Sequence, residues 1–515
     1  MNSDRSDFSR PAALEAVVRS LNKHQQSDGA SLTFASLTNQ LSIFLKGIVL
    51  FWTILMAAGC VWMFYQGSVY AVEFSIIAVP SVIALWFWRT QPRSGMPFFP
   101  FMVIQQSVVF LMPLWISNKI LMTFQDDIHR QAALSVGLFL CTLPLGWKIG
   151  SAACHPLPSK WDLAVGEGKE NSEIIGMRIS LFLLQGALCI QLIPYFINIG
   201  GLAPTLNAAS NAASSLGALL GGYAIGLSGR SNPRFWGILV LLFFIAIRDV
   251  VLSSAMIFIV ASIFGMALGS KKIPWKPLVI ILTVISFLSA GKYTMRERYW
   301  IDSNSTNLPL TALPGFYQEW ARVSLETLAT GTDQATLTAR QVKAEQELSF
   351  GERINNFENM DFVIRALLQN HLSPLYGQTY ALIPPLFIPR FLWADKPRTH
   401  AGQILLNVHF GRQTIEQTDR TNIAWGVVAE AVGNFGPWIG PIFIGLVAGF
   451  LYGFLEVWSS FKKFLSVEGF AIISLFLLLL IAFEMVSSVL ITAIFQMLIV
   501  VVMGGMMLRN VFGSR

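Results

Sequence analysis

The chain carries little charge and little cysteine. Lysine, arginine, aspartate and glutamate make up 13% of its 515 residues, about half the share of a typical soluble domain. This shortage excludes a soluble enzyme and a disordered chain. The four cysteines, Cys60, Cys141, Cys154 and Cys189, lie in or near apolar runs without metal-ligand or bridge spacing, which excludes a disulfide-stapled secreted domain.

The signatures of soluble enzymes are missing as well. The sequence has no GxxxxGK[ST] phosphate loop, no HExxH zinc helix and no GxSxG nucleophile elbow. Most polar segments are short, which disfavours an ATP-driven pump and a synthase that uses cytoplasmic nucleotide sugars. No basic stripe with interleaved aromatic residues is present, so the sequence predicts no nucleic-acid partner.

Long apolar runs take the place of these features. Hydrophobic residues make up 54% of the chain, and the mean hydropathy is +0.57. A membrane helix needs about 20 mostly apolar residues, and the runs predict an all-α polytopic membrane protein with about twelve spans. The predicted spans lie near 42–64, 69–88, 99–118, 131–149, 179–199, 206–228, 235–250, 252–269, 277–291, 436–458, 467–486 and 488–507.

The distribution of basic residues orients these spans. Lysine and arginine accumulate in alternate connecting segments, while the short segments between them carry only Lys119, Arg130 and Arg248. By the positive-inside rule, the basic segments and both termini are predicted to be cytoplasmic. The resulting divisions are a cytoplasmic tail (1–40), helices one to nine (41–291), one large outer loop (292–435), helices ten to twelve (436–508) and a cytoplasmic tail (509–515).

The large loop has two parts of different character. Strong helix formers over 337–348 and an apolar face at helical spacing over 355–367 predict helices. The stretch 376–393 is apolar but contains three prolines, which are costly inside a helix. It is therefore predicted to be an interfacial or re-entrant segment instead of a thirteenth span.

Three cations lie at the end of this proline-rich stretch and directly after it: Arg390, Lys396 and Arg398. Arginine binds phosphate oxygens in pairs and lysine adds a point charge, so such a cluster at the bilayer surface suits a diphosphate. Cations at a membrane boundary also extend towards lipid headgroups without further function. The spacing leaves both interpretations open.

A carboxylate stands where the tenth span opens. Glu430 is expensive at that position unless it is paired or functional. It is a candidate general base for a sugar hydroxyl, or it pairs with an arginine such as Arg390 or Arg420. The sequence leaves these alternatives open.

Weaker candidates lie elsewhere. Arg353 and Arg365 fall on the predicted loop helices, where a solvated face is the default interpretation. The run Asp126-Asp127-Ile128-His129 superficially resembles a metal-binding acidic pair, but no third ligand is apparent. No metal and no cofactor are predicted.

Three motifs together resemble the Wzy-type oligosaccharide repeat-unit polymerases of bacterial envelopes. They are Gly-Gln-Thr-Tyr at 377–380, Ile-Pro-Arg-Phe-Leu-Trp-Ala-Asp-Lys-Pro at 388–397 and Ala-Glu-Ala-Val-Gly-Asn-Phe-Gly at 429–436. Ala394 stands where that family commonly has proline, and Val432 where tyrosine is frequent. These departures leave the charged positions intact.

The resemblance implies a GT-C-type membrane glycosyltransferase in the bacterial inner membrane. Such an enzyme moves a growing glycan from undecaprenyl diphosphate to the non-reducing end of an incoming lipid-linked repeat unit, on the periplasmic side and without metal. A chain-length regulator and a flippase are the implied partners. The implied roles are diphosphate contacts for Arg390, Lys396, Arg353 and Arg365, a base for Glu430, and a lining of the site by Tyr380 and Asn434.

Two other functions fit the same features. An O-antigen ligase-like enzyme of this fold would attach a finished glycan to a different acceptor. A lipid-linked oligosaccharide flippase or other transporter often shows two related halves, and the sequence shows no such repeat. The identity of the acceptor would separate polymerase from ligase.

Overall fold

All regular elements in the described part of the chain are helices, and that part contains no β-strand. The computed structural model describes all residues except 1–32, 41, 92–94, 119–120, 156, 162–168, 197–202, 249, 251, 297, 300–309, 331–354, 389–391, 394, 419–422 and 513–515.

The first half of the chain forms helices that follow the apolar runs. These are α1 (Phe34–Gln40), α2 (Ser42–Tyr65), α3 (Ala71–Thr90), α4 (Phe98–Trp115), α5 (Asp126–Ala153), α6 (Lys169–Leu192), α7 (Ala203–Ser228), α8 (Pro233–Ile247), α9 (Leu252–Ser270) and α10 (Trp275–Ala290). The chain turns between Ile247 and Leu252, so the apolar run from 235 to 269 forms two short helices, as predicted.

The second half holds the loop helices and the last three long helices. These are α11 (Lys292–Arg296), α12 (Leu313–Thr330), α13 (Phe357–Leu368), α14 (Gln378–Ala381), α15 (Ile383–Leu386), α16 (Ala401–His409), α17 (Ile415–Thr418), α18 (Val427–Ser459), α19 (Val467–Ile481) and α20 (Ser487–Phe512). The predicted helix over 355–367 is confirmed by α13. The proline-rich stretch forms the one-turn helices α14 and α15, and the segment 337–348 lies outside the described residues.

Seven described helices, α2 to α6, α18 and α20, are long and apolar enough to cross a membrane. Four shorter apolar helices, α8, α9, α10 and α19, have 10–17 residues in their apolar stretch. The chain is therefore a multi-pass helical membrane protein. Each predicted span coincides with one of these helices or with α7.

Local sequence explains where some of these helices begin. Asn232 caps α8, because its Oδ1 accepts hydrogen bonds from the N–H groups of Arg234 (3.0 Å) and Phe235 (3.2 Å). Ser466 caps α19 by accepting a hydrogen bond from Gly469 N–H at 2.9 Å. Such side chains satisfy backbone donors that have no partner inside the first turn.

The helices α5 and α18 pack in close contact through glycines. A Cβ atom on Gly146 would lie 2.3 Å from Leu446 O, and one on Gly449 would lie 2.2 Å from Leu143 O. Further along, a Cβ on Gly453 would lie 2.0 Å from the carbonyl oxygen of residue 147. Residues later in α5 contact residues later in α18, so the two helices run parallel. Small residues allow membrane helices to approach this closely.

A second close pair consists of α7 and α9. A Cβ on Gly222 would lie 2.2 Å from Ser262 O, and one on Gly226 would lie 2.5 Å from Met266 O. These helices also run parallel. By contrast, α6 and α7 are antiparallel. Ser180 of α6 donates its hydroxyl to Gly217 O of α7 (2.6 Å), and residues later in α6 contact residues earlier in α7.

One end of the bundle brings together segments to which the charge pattern assigns a common side. Phe34 N–H donates a hydrogen bond to Lys462 O (3.1 Å). Lys160 N–H donates one to Glu468 Oε1 (2.8 Å). We call this the basic end; it comprises residues 33–38, 95–97, 158–160 and 459–468.

The opposite end carries the described part of the large loop. Asn356 N–H donates a hydrogen bond to Val109 O (3.2 Å), and its Nδ2 donates one to Phe483 O (2.9 Å). Gln369 Nε2 donates one to Gln125 Oε1 (2.7 Å). We call this the loop end; it comprises α13 to α17, the end of α4 and the starts of α5, α18 and α20.

Replacing Gly449 by alanine is expected to lower stability, because the new Cβ would overlap the Leu143 carbonyl and force α5 and α18 apart. Overpacking of this kind costs about 1–3 kcal/mol. Gly186→Ala is the matched control, since a Cβ there meets nothing within 4 Å. Melting of the detergent-purified variants measures the difference. Equal melting temperatures for both variants would contradict close packing at Gly449.

Candidate active site

The candidate site begins at the break in α18. Gly436 has φ 81° and ψ 173°, which is not helical and which L side chains rarely adopt. A Cβ on Gly440 would lie 2.3 Å from Ala431 O, so the segment before the break folds back against the segment after it. The predicted boundary between the large loop and the tenth span, at 435–436, coincides with this break. The helix begins at Val427, and both Glu430 and Asn434 belong to its first segment.

Glu430 is completely buried. Its Oε2 accepts a hydrogen bond from the backbone N–H of Ser487 at 2.6 Å. Ser487 is the first residue of α20, where backbone N–H groups lack partners within the helix and the helix dipole favours negative charge. This contact joins α18 to α20 through two residues that are 57 positions apart in the chain.

The second carboxylate oxygen of Glu430 is less well satisfied. Oε1 makes no well-formed hydrogen bond with any described residue, although the hydroxyls of Thr379 and Ser487 lie beside the carboxyl. The buried hydroxyl of Tyr380 also lacks a well-formed hydrogen bond within the described structure. Burial raises the pKa of the Tyr380 phenol, and the Glu430 carboxylate raises it further. Buried polar atoms are normally paired, so these two atoms are candidates to receive a ligand.

Asn434 holds the start of the proline-rich segment against α18. Its Nδ2 donates hydrogen bonds to Thr379 Oγ1 and to Glu430 O, both at 2.8 Å. Its backbone carbonyl accepts one from Tyr376 N–H at 2.8 Å. The ring of Tyr380 then stacks on Phe435, with ring centroids 5.7 Å apart. Asn434 thereby fixes both Thr379 and Tyr380 close to Glu430.

The segment that carries Lys396 and Arg398 lies near the helix start that contacts Glu430. Ser488 Oγ donates a hydrogen bond to Thr399 O (3.1 Å), so the segment that carries Lys396 and Arg398 lies next to the start of α20. Arg398 is exposed. The Lys396 ammonium donates hydrogen bonds to Leu386 O (2.9 Å) and Ile388 O (2.6 Å). Two of its three donors are therefore used to fix the proline-rich segment.

Three further arginines, Arg390, Arg353 and Arg365, are predicted diphosphate contacts. Arg390 and Arg353 lie outside the described residues. Arg365 lies on α13, and its guanidinium covers the rings of Phe124 (4.6 Å to the centroid) and Phe362 (5.4 Å). The structure thus brings Glu430, Tyr380, Asn434 and the Lys396–Arg398 segment together, while Arg365 occupies a separate aromatic environment.

A second buried polar pair was not predicted from the sequence. His129 Nδ1 lies 2.9 Å from Asp361 Oδ2, and their side chains are 2% and 0% exposed. Burial raises the pKa of Asp361 to about 6, although the contact with His129 opposes this shift. The Phe357 ring stacks on His129. The pair connects α5 to the loop helix α13.

This pair also bears on the metal interpretation of Asp126, Asp127 and His129. In the structure His129 turns towards Asp361. Asp127 Oδ1 instead accepts a hydrogen bond from Ile128 N–H (3.0 Å). Among the described residues, no group of three or more histidine, cysteine, aspartate or glutamate side chains is arranged to hold a metal ion.

A buried arginine stabilises the other side of α13. The guanidinium of Arg412 donates hydrogen bonds to Asn359 Oδ1 and to Glu358 Oε1. It also lies over the rings of Phe362 and Trp425, at 5.2 and 5.6 Å from their centroids. Burial lowers the pKa of this guanidinium. Arg412 therefore serves to hold α13 against the chain that leads into α18.

Sequence reasoning missed Ser487, Thr399 and Gly402 as parts of the site. A Cβ on Gly402 would lie 3.1 Å from Ser488 Oγ, which shows how closely α16 approaches the start of α20. The Ser-Ser pair at 487–488, three residues after Glu484 in the turn between α19 and α20, was the available signal. Comparisons of the chain with protein-family profiles, curated proteins and solved structures give no match.

Removing one member of the His129–Asp361 pair is expected to destabilise the attachment of α13. Asp361→Ala leaves a buried imidazole unpaired, and breaking a buried pair costs about 3–5 kcal/mol. His129→Ala should act similarly, and the double variant should lose less than the sum of the two. Melting temperature and protease sensitivity of the loop measure the effect.

The exposed Arg322–Glu326 pair on α12 supplies the control. Its side chains are 79% and 57% exposed, and exposed pairs contribute little, so Arg322→Ala should leave both measurements unchanged. Strictly additive losses at His129 and Asp361 would show that the two residues do not act together.

Proposed function

We propose that the protein is a membrane glycosyltransferase of the Wzy type. It would polymerise undecaprenyl-diphosphate-linked repeat units by transferring the growing glycan to the non-reducing end of an incoming unit. The observation that carries this proposal is the buried Glu430 carboxylate, which has one oxygen fixed by Ser487 N–H and the other facing hydroxyl groups without a full set of hydrogen bonds.

Glu430 would act as the general base. Its Oε1 accepts the proton of the acceptor sugar's hydroxyl while that oxygen forms a bond to the anomeric carbon of the donor. The bond from the anomeric carbon to the diphosphate breaks, and the carrier diphosphate leaves with the electron pair. Ser487 N–H keeps the carboxylate oriented, and the Tyr380 and Thr379 hydroxyls position the attacking hydroxyl.

The cations would stabilise the departing diphosphate. Fixed positive charges in a site with little water perform this work well. Arg390 and Lys396 are the proposed principal ligands, and the exposed Arg398 follows Lys396 by two residues in the chain. Lys396 keeps one donor beyond the two that contact Leu386 O and Ile388 O. Arg353 and Arg365 are proposed as further contacts.

We infer a topology of twelve spans in the bacterial inner membrane, with a GT-C architecture. Both termini would be cytoplasmic and the large loop periplasmic. The parallel pairing of α7 with α9 supports this, because two parallel spans need a third, here α8, to return between them. The parallel pairing of α5 with α18 likewise requires an odd number of spans between those helices, and the five helices α6 to α10 satisfy it.

The proposed partners follow from this activity. The substrates are lipid-linked oligosaccharides held in the membrane, and a chain-length regulator and a flippase would act beside the enzyme. Neither a cofactor nor a metal is part of the proposed chemistry, since the charge that develops on the diphosphate is matched by side-chain cations.

Glu430→Gln is expected to abolish polymer without reducing the amount of folded protein. The amide cannot accept the proton, and loss of a general base lowers rates by roughly 10²–10⁴-fold. The test is complementation of a strain whose gene is disrupted. The wild-type gene should restore a ladder of surface glycan on gels, while the variant should leave a single lipid-linked repeat unit.

Glu456→Gln is the matched control, because Glu456 is a second buried glutamate on α18. It accepts hydrogen bonds from Phe99 N–H, Trp88 Nε1–H and Trp147 Nε1–H. The NH₂ group of the amide would face at least one of these N–H donors, so this variant should have a lower melting temperature. It should still make polymer in proportion to the amount of folded protein. A full ladder from Glu430→Gln would refute the base role. If the disrupted strain makes polymer that is not attached to its acceptor, the protein is a ligase. If that strain retains repeat units on the cytoplasmic side, the protein is a flippase.

Thiol labelling should place the two ends of the bundle on opposite sides of the membrane. In a variant without the four native cysteines, Ser373→Cys at the loop end should react with an impermeant maleimide in spheroplasts. Arg230→Cys, in the basic segment between α7 and α8, should react only after lysis. The opposite pattern would reverse the proposed orientation, and labelling of both from outside would exclude it.

A further inference from the structure

An apolar cavity opens at the basic end of the bundle, far from Glu430. It lies among α1, the first turn of α2, the start of α4 and the end of α9. Its walls include Leu37, Leu45, Phe101, Phe264 and Ile473. The enclosed volume is about 70 Å³. The apolar lining therefore suits part of a hydrocarbon chain.

Three of the described residues that line the cavity are polar, and one of them has a structural role. Thr38 donates its hydroxyl to Gly95 O at 2.6 Å, so it holds α1 in place and is not available to a ligand. The other two polar residues are Lys271 and Lys272. No acidic residue is among the described residues that line the cavity. Its mouth thus combines an apolar interior with two positive charges.

The backbone at the mouth is fixed in an uncommon conformation. Lys271 has φ 57°, in the left-handed region where helix ends usually place glycine or asparagine. The Ser270 hydroxyl donates to Lys272 O (3.0 Å) and accepts from Lys272 N–H (3.3 Å). Immediately after the mouth, Trp275 is 63% exposed. Exposed tryptophan of this kind is typical of the headgroup level of a bilayer.

We propose that this cavity binds one anionic phospholipid. Part of one acyl chain enters the apolar interior, and the headgroup phosphate contacts Lys271 and Lys272. Charge complementarity identifies the occupant, because two lysines without a nearby described acid favour a phosphate, and because a juxtamembrane basic pocket between helices attracts anionic headgroups. The lipid would join α9 to α1 and α2 at the basic end. This site is independent of the proposed transferase activity.

Lipid retention tests the proposal directly. The full-length protein is reconstituted in nanodiscs with equal amounts of phosphatidylglycerol and phosphatidylcholine, released into mild detergent, and examined by native mass spectrometry. The wild-type protein should retain one phosphatidylglycerol in preference to phosphatidylcholine. Lys271→Gln/Lys272→Gln should reduce the retained phosphatidylglycerol roughly tenfold or more, because each lysine contributes to headgroup attraction.

Two further variants make the result specific. Arg230→Gln/Arg234→Gln removes the same charge from the neighbouring basic segment, which does not line the cavity, and should leave retention unchanged. Ala267→Phe fills the cavity and should reduce retention of both lipids. Equal retention by the lysine variant and the wild type would overturn the proposal, as would equal loss in the arginine control. Retention of phosphatidylcholine at the wild-type level of phosphatidylglycerol would also overturn it.

Discussion

The hydrogen bond from Ser487 N–H to Glu430 Oε2 determines the arrangement of the whole candidate site. A buried carboxylate is costly unless donors compensate for lost water, and the start of α20 supplies such a donor at 2.6 Å. This contact holds the first segment of α18 against the last helix. Asn434, one turn further along α18, then binds Thr379 and positions the proline-rich segment. The site is therefore assembled from three parts of the chain that meet at one carboxylate.

Two buried glutamates on α18 illustrate different uses of the same side chain. Glu456 has both oxygens occupied, by one backbone and two indole donors, and it locks α18 to α3, α4 and α5. Glu430 has one oxygen fixed while the other faces hydroxyl groups. A fully satisfied carboxylate has no capacity left for a substrate, whereas a half-satisfied one does. The contrast in hydrogen bonding favours a chemical role for Glu430 and a structural one for Glu456.

The positions of the long helices could be predicted because lipid requires continuous apolar runs with satisfied backbone groups. The motif residues Glu430, Tyr380 and Asn434 were also predicted, and the structure places them together. The contact with Ser487 and the pair of His129 with Asp361 could not be predicted, since residues 57 and 232 positions apart leave no periodic signal in a single sequence. The predicted start of the tenth span coincides with the break at Gly436, but the helical segment that begins at Val427 was not predicted. The hydrogen bonds of Lys396 depend on where the loop folds, which local composition does not reveal.

The groups around Glu430 are held by two different parts of the chain. Glu430 is fixed to the bundle, because it lies on α18 and accepts a hydrogen bond from the start of α20. Thr379 and Tyr380 belong to the loop, and they are attached to α18 by the hydrogen bond of Asn434 to Thr379 and by the stacking of Tyr380 on Phe435. Lys396 belongs to the same part of the loop, because its ammonium donates hydrogen bonds to Leu386 O and Ile388 O. The position of the carboxylate therefore depends on the bundle, whereas the position of the hydroxyl groups beside it depends on how the loop packs against α18.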